Sequence, residues 1–200
     1  MYPISLRIEG KPCVVAGGGK IAYVKLAALI QAKAKVTVVS PLFIPEIEKL
    51  YEDRKVDLER KEIEYDDYKD AFLIIAATNN QAINRKIYQN TKDTKLVNVV
   101  SDSEIGNFHI PATLTRGKLQ ISVATGGASP TLAKKIRDDL KDTFDASFEE
   151  YLEFLYEARM KIKAGDYPRE KKQSMFKEAL DEKYKNSVVE RNRFLKQFEE

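Results

Sequence analysis

Gly17-Gly18-Gly19-Lys20-Ile21-Ala22 directly follows the apolar run Cys13-Val14-Val15-Ala16. The glycines fit the pattern G-x-G-x-x-G/A, with Ala22 as the third small residue. A loop of this kind holds a pyrophosphate. Gly17 permits the tight turn from strand to helix, the bare backbone of Gly19 can approach the phosphates, and Ala22 lets the helix pack closely on the sheet. The N–H groups of the first helical turn, at Lys20, Ile21 and Ala22, and the helix dipole favour the negative charge. A plain glycine turn is the alternative, but the position between a strand and a helix favours a cofactor.

One usual part of the fingerprint is missing. An acidic residue about 20 positions on normally holds the ribose hydroxyls of NAD. Here the second apolar run ends in Val39-Ser40-Pro41-Leu42, with neither a carboxylate nor an arginine. The fingerprint leaves NAD and NADP open and assigns the adenosine end to Ser40 or to the backbone of Pro41 and Leu42. Thr78, in Ala76-Ala77-Thr78-Asn79-Asn80, ends a later apolar run. Ligands of such sheets bind beyond the carboxyl ends of the strands, so Thr78 is expected to face the cofactor, with Asn79 or Asn80 as a helix cap.

The elements that must position these residues alternate. Cys13–Ala16, Val36–Val39, Leu73–Ala77 and Leu96–Val100 are continuous apolar runs, as in parallel strands covered on both faces. Ile21–Ala32 carries Ala22, Leu26, Leu29 and Ile30 on one side and is the crossover helix. Further helices are expected over Ile44–Tyr51 and Gln81–Asn90, and a short edge strand over Ile63-Glu64-Tyr65. The fold class is α/β: a Rossmann-like parallel sheet with helices on both faces. Beyond Pro111 the pattern changes. Leu119–Ala124 alternates like a half-exposed strand, Ser129-Pro130 opens a helix to about Phe144, and a charged helical stretch follows from Ser147, broken at Ala164–Pro168.

Composition narrows the function. The chain has 200 residues, 43% hydrophobic and 32% charged, with a formal net charge of +3. That charge is too mild and dispersed to indicate nucleic acid. No apolar run approaches the ~20 residues of a membrane span, and Met1–Arg7 lacks the layout of a signal peptide. Cys13, the single cysteine, reads as a buried thiol, so a cytoplasmic location is expected. No cysteine or histidine cluster has metal-ligand spacing, so no metal site is expected. His109, the single histidine, reads as structural.

Several motifs coincide with one family. Gly17–Lys25, Ala76–Asn80, Asn98-Val99-Val100, Phe108-His109-Ile110-Pro111 and Thr125-Gly126-Gly127-Ala128-Ser129-Pro130 resemble, in order and spacing, those of the precorrin-2 dehydrogenases of sirohaem synthesis. The resemblance runs from residue 1 to about 145. It implies NAD-dependent oxidation of precorrin-2 to sirohydrochlorin. It also implies three parts: an NAD-binding Rossmann domain (1–112), a dimerisation segment that builds a homodimer (113–146), and a helical substrate-covering domain (147–200). Members that also insert iron carry an aspartate directly after NVV. Here that position is Ser101, with Asp102 one place later. The chain therefore resembles the members that only dehydrogenate and leave iron to a separate ferrochelatase.

In that reaction Asp102 is the nearest candidate base and Ser101 could orient the substrate; a polar capping loop over Ser101-Asp102-Ser103-Glu104 is the alternative. Precorrin-2 is rich in carboxylates, for which Thr125, Gly126, Gly127 and Ser129 offer N–H and hydroxyl donors before a helix. Lys134, Lys135, Arg137, Arg159, Arg191 and Arg193 could add charge, although a solvated face suits each of them as well. Two other readings compete: a bifunctional dehydrogenase and ferrochelatase, and a non-enzymatic NAD-sensing regulator. The second lacks a recognisable DNA-reading output helix.

Overall fold

The continuous apolar runs build one parallel sheet. The computed structural model describes residues 1–102 and 104–198; Ser103, in the polar loop considered above, lies outside them. The chain forms two compact units, Met1–Ile110 and a second that begins at Pro111.

The first unit alternates β1 (Pro12–Ala16), α1 (Lys20–Gln31), β2 (Lys35–Val39), α2 (Pro45–Glu52), β3 (Asp57–Glu59), α3 (Tyr65–Tyr68), β4 (Leu73–Ala76), α4 (Gln81–Thr91) and β5 (Leu96–Val99). The strand order is β3-β2-β1-β4-β5, and every pairing is parallel. Successive side chains of a strand point to opposite faces. Cys13 and Val15 accordingly join one core with Ala22, Leu26 and Leu29 of α1, and Val14 and Ala16 join another with Ile87 of α4. Both faces are covered, which is why these runs do not alternate in sequence. Leu26 is fully buried, a gain of about 1.5–3 kcal/mol over exposure. Cys13 is unpaired and buried, and burial pushes its thiol up to about 11, so it stays protonated near neutral pH.

One expected element is corrected. Ile63-Glu64-Tyr65 is not a strand: Glu64 caps α3 in a capping box with Asp67, its backbone N–H donating to Asp67 Oδ2 at 2.7 Å. Those local bonds favour a helix start over a sheet edge. The edge strand is Asp57–Glu59, with Leu58 paired to Val38. It is short and charged, as edge strands are when they avoid pairing with other chains, and so leaves little periodic signal.

The second unit opens with an antiparallel pair, β6 (Ala112–Arg116) and β7 (Leu119–Val123), turned at Gly117 with φ +52. Then come α5 (Pro130–Thr143), α6 (Ser147–Ala164), α7 (Arg169–Glu178), α8 (Glu182–Asn186) and α9 (Val188–Lys196). Phe154 of α6 meets the rings of Tyr184 and Phe194 at 5.4 and 5.6 Å. Arg191 is 7% exposed. It donates to the carbonyls of Tyr184 and Lys185, each at 3.3 Å, and to Glu150 at 2.8 Å. The solvated-face reading of Arg191 is thereby corrected: its guanidinium closes the helix ends around the aromatic core. Arg191→Ala strands two carbonyls and empties the space of a long side chain. It is expected to cost about 1–3 kcal/mol in urea unfolding followed by circular dichroism. A change below about 0.5 kcal/mol would contradict that role.

Candidate active site

The site begins where β1 ends. Gly17 donates its N–H to the Val39 carbonyl at 2.9 Å and has φ +118. A Cβ at Gly17 would overlap the Ala77 carbonyl. Gly18 accepts from the Ile44 N–H at 2.9 Å, and a Cβ there would overlap the Leu42 carbonyl. The middle glycine, an arbitrary position in the sequence pattern, is thus required by the loop after β2. Gly19 caps α1 without a side-chain cap bond, and a Cβ there would meet nothing within 4 Å. The first helical bond runs from Tyr23 N–H to Gly19 O at 3.0 Å. The N–H groups of Lys20, Ile21 and Ala22 precede it and are the donors a helix start leaves to an anion.

A cavity of about 430 Å³ lies beyond the carboxyl ends of β1, β2 and β4. The strand order reverses between β1 and β4, the place where dinucleotides bind in such sheets. Gly17, Gly18 and Gly19 line it on one side, Ser40, Pro41 and Leu42 on another, and Thr78 with its neighbours on a third. Lys20 and Ile21 are exposed and Ala22 is fully buried against the sheet; none of the three lines the cavity. The open face of Gly19, the uncapped helix start and the adjoining cavity fit a dinucleotide.

Glu62, Ile63, Phe43 and Ile83 also line the cavity and escaped the sequence reading. Glu62 and Ile63 follow β3, the strand that was misplaced. Arg60 and Lys61, beside Glu62, are each held by carboxylates. Arg60 forks onto Glu48, with Nη1 to Oε1 at 2.7 Å, and its guanidinium holds the Glu48 carboxyl below the usual carboxylate range. Lys61 pairs with Asp67 at 2.5 Å and with Glu59 at 3.4 Å.

Asn80 caps α4, accepting from Ala82 N–H at 2.9 Å and Ile83 N–H at 3.3 Å. Thr78 turns its hydroxyl to the protein, donating to Asn84 Oδ1 at 2.7 Å. Asn84 is fully buried and also donates to Ser101 Oγ at 3.3 Å. An asparagine inside a helix, on its apolar side, is the signal by which it could have been found. Ser101 is exposed just beyond β5. Asp102 accepts from the Glu104 N–H at 3.0 Å and lies 3.8 Å from Arg85. In the second unit Thr125 Oγ1 accepts from the Ser129 N–H at 3.0 Å, and Ser129 Oγ caps α5 by accepting from Leu132 N–H at 3.1 Å. Gly126 and Gly127 between them have φ +63 and +88. His109 is exposed.

Three family models match the chain in succession: NAD(P)-binding over residues 4–112, sirohaem biosynthesis protein central over 116–143, and SirC C-terminal domain over 148–194. A Priestia megaterium protein named precorrin-2 dehydrogenase is 36% identical over 199 residues, covering 100% of this chain and 98% of that protein. The chain belongs to the precorrin-2 dehydrogenase family. The precorrin-2 dehydrogenase of Bacillus subtilis (strain 168) is 41% identical over 161 residues, covering 80% of this chain and 99% of that protein. The solved structure of a family member, "SirC, precorrin-2 dehydrogenase", superimposes with a TM-score of 0.84 at 36% identity, covering 100% of this chain and 99% of that one. The family resemblance and the Rossmann-like fold expected from the sequence are both borne out.

The glycines separate two roles that substitution can test. Gly19→Ala is expected to cost the fold less than about 1 kcal/mol, since its Cβ has room. It should raise the Kd for a nicotinamide dinucleotide about tenfold or more, a loss of about 1.4 kcal/mol of binding. Gly18→Ala should instead lower the unfolding temperature, because the Leu42 backbone must move. Calorimetry of binding and of unfolding reads both; equal stability losses in the two variants would contradict the division.

Proposed function

We propose that this chain oxidises precorrin-2 to sirohydrochlorin with NAD. The observation that carries the reading is a glycine-cradled cavity in a chain that matches a precorrin-2 dehydrogenase from end to end. Precorrin-2 and NAD⁺ give sirohydrochlorin, NADH and a proton: one hydride and one proton leave the macrocycle. NAD supplies the hydride acceptor, so the chain mainly binds and orients. Gly17, Gly18, Gly19 and the helix-start N–H groups of Lys20, Ile21 and Ala22 hold the pyrophosphate. Ser40, Pro41, Leu42 and Thr78 border the rest of the cofactor. Ser101 orients the macrocycle, and Asp102 beside it takes the proton; the gain in conjugation lowers the demand for a strong base. Thr125, Gly126, Gly127 and Ser129 hold substrate carboxylates through N–H and hydroxyl donors.

The cofactor is NAD rather than NADP. Among the described residues the cavity lining includes no lysine or arginine, and Glu62 supplies a carboxylate that would repel a 2′-phosphate and can accept from ribose hydroxyls. Arg60 and Lys61 already serve Glu48 and Asp67.

The three parts expected from the sequence, 1–112, 113–146 and 147–200, divide the work into cofactor binding, dimerisation and substrate cover. Family-model matches over 4–112, 116–143 and 148–194 support that division. The functional form is a homodimer. Leu132 and Ile136, one turn apart on α5, are 48% and 37% exposed and offer an apolar strip to a second copy. The location is cytoplasmic, in keeping with an unpaired buried Cys13. No described helix is long and apolar enough to cross a membrane. Iron insertion belongs to a separate ferrochelatase, since Ser101 stands where bifunctional members of the family carry aspartate.

Anaerobic incubation with precorrin-2 and NAD is expected to grow the sirohydrochlorin spectrum, with slower growth when NADP replaces NAD. No conversion with either cofactor would sink the enzyme reading in favour of an NAD-sensing regulator. Metal insertion on adding ferrous iron would instead establish the bifunctional form. Glu62→Arg is expected to shift the ratio of kcat/KM for NAD over NADP toward NADP by about tenfold, about 1.4 kcal/mol. An unchanged ratio would remove Glu62 from cofactor selection.

A further inference from the structure

Asn84 of α4 is the largest fully buried polar side chain among the described residues. Its amide is used completely. Oδ1 accepts from the Thr78 N–H at 3.2 Å and the Thr78 hydroxyl at 2.7 Å; Nδ2 donates to the Thr78 carbonyl at 3.0 Å and to Ser101 Oγ at 3.3 Å. A primary amide has two donor hydrogens and two acceptor lone pairs, so no capacity remains. Three of the four bonds hold Thr78, just beyond β4, and the fourth reaches across to Ser101, just beyond β5.

These two strand ends belong to the half of the sheet on the far side of the reversal from β2 and β3. In a doubly wound sheet a dinucleotide spans the reversal, so one half receives each mononucleotide. The Ser40 and Glu62 side takes the adenosine end in the reading above, which leaves the β4–β5 side to the nicotinamide. The bond from Asn84 also sets the direction of the Ser101 hydroxyl. Because Ser101 Oγ accepts from Asn84, its own hydrogen is turned elsewhere, and among the described residues no protein acceptor takes it. Ser101 is exposed, so that hydrogen is available to a ligand.

We propose that Asn84 is a positioning residue for the oxidation: it ties the ends of β4 and β5 together and aims the Ser101 hydroxyl as a hydrogen-bond donor to the tetrapyrrole. This rests on the dehydrogenase reading. Asn84 touches neither substrate nor cofactor and acts through Ser101. A purely structural Asn84 would hold Thr78 and contribute to stability without any dependence on the serine hydroxyl.

A double-mutant cycle in the full chain separates the two, with kcat for precorrin-2, the Kd for NAD and the unfolding temperature measured for each variant. Asn84→Asp keeps the acceptor for the Thr78 N–H and hydroxyl but removes both Nδ2 donations, to the Thr78 carbonyl and to Ser101 Oγ, so the Ser101 share is read from the coupling between the two substitutions. It is expected to lower kcat roughly 10- to 100-fold, as misplacement of an orienting group does. The Kd for NAD should stay within about threefold. Ser101→Ala is expected to lower kcat by a similar factor, and Ser101→Thr, which keeps the hydroxyl, to restore most of it. The double variant should lie within about threefold of Ser101→Ala alone. Losses that multiply, or an unchanged kcat in Ser101→Ala, would overturn the proposal. Where Asn84→Asp does not fold, Asn84→Gln, which keeps the amide but shifts it by one methylene, takes its place in the cycle: a kcat loss that vanishes in the Ser101→Ala background supports the proposal, and one that persists there overturns it. The unsubstituted chain runs alongside. Absence of precorrin-2 turnover there would overturn the dehydrogenase reading itself; turnover there with no effect of either substitution overturns the role of Asn84 alone.

Discussion

Backbone meets backbone at the end of β1, with no room for a side chain between. The Ala77 carbonyl lies where a Cβ of Gly17 would stand, and the Leu42 carbonyl where one of Gly18 would stand. These two approaches draw the loops after β2 and β4 in toward the glycine turn. The cavity follows from that convergence, because its walls are those loops. Gly19, one residue later, faces open space and leaves the start of α1 uncovered. Close contact on one side and an open face on the other create a helix start that can take a phosphate.

Electrostatics then shapes what the cavity can receive. The cations nearest its β3 side, Arg60 and Lys61, are neutralised by Glu48, Glu59 and Asp67. The Arg60–Glu48 and Lys61–Glu59 pairs are partly exposed, and such pairs contribute little to stability. Their consequence is for recognition, since they leave Glu62 as the charged group on the lining. At the other end of the sheet opening most polar groups are spent within the protein, and the Ser101 hydroxyl hydrogen is left to offer. Thr78 and Asn84 satisfy one another, and Asp102 is tied to its own loop. The second unit uses the same economy around an aromatic core, where Arg191 satisfies carbonyls that the helix ends would leave exposed to an apolar interior.

Much of this was legible in residue order. The buried strands showed as unbroken apolar runs, and the glycine turn announced itself between a strand and a helix. Pro130 after Ser129 marked the start of α5, and Ala164–Pro168 the break between α6 and α7. The errors and omissions share a cause. β3 offers a single inward residue, Leu58, between two charged ones, so periodicity had nothing to report. The capping box at Glu64 and Asp67 then gave the nearby apolar residues a helical use. Missing β3 meant missing Glu62 and Ile63, which reach the cavity only because β3 sets where its following loop runs.

Sequence by itself determined the sheet class, the glycine turn and the family, because each depends on residue type at short spacing: glycines without Cβ, apolar runs without alternation, and motifs in fixed order. Tertiary structure alone decided which distant residues share the cavity and which polar groups remain free to act. Glu62 joins Ser40 through β2–β3 pairing, and Asn84 joins Ser101 across 17 positions through the packing of α4 beside β5. Arg191 became a structural residue through carbonyls of α8 and a carboxylate of α6. Such pairings arise from how strands align and helices pack, and local spacing carries no record of them.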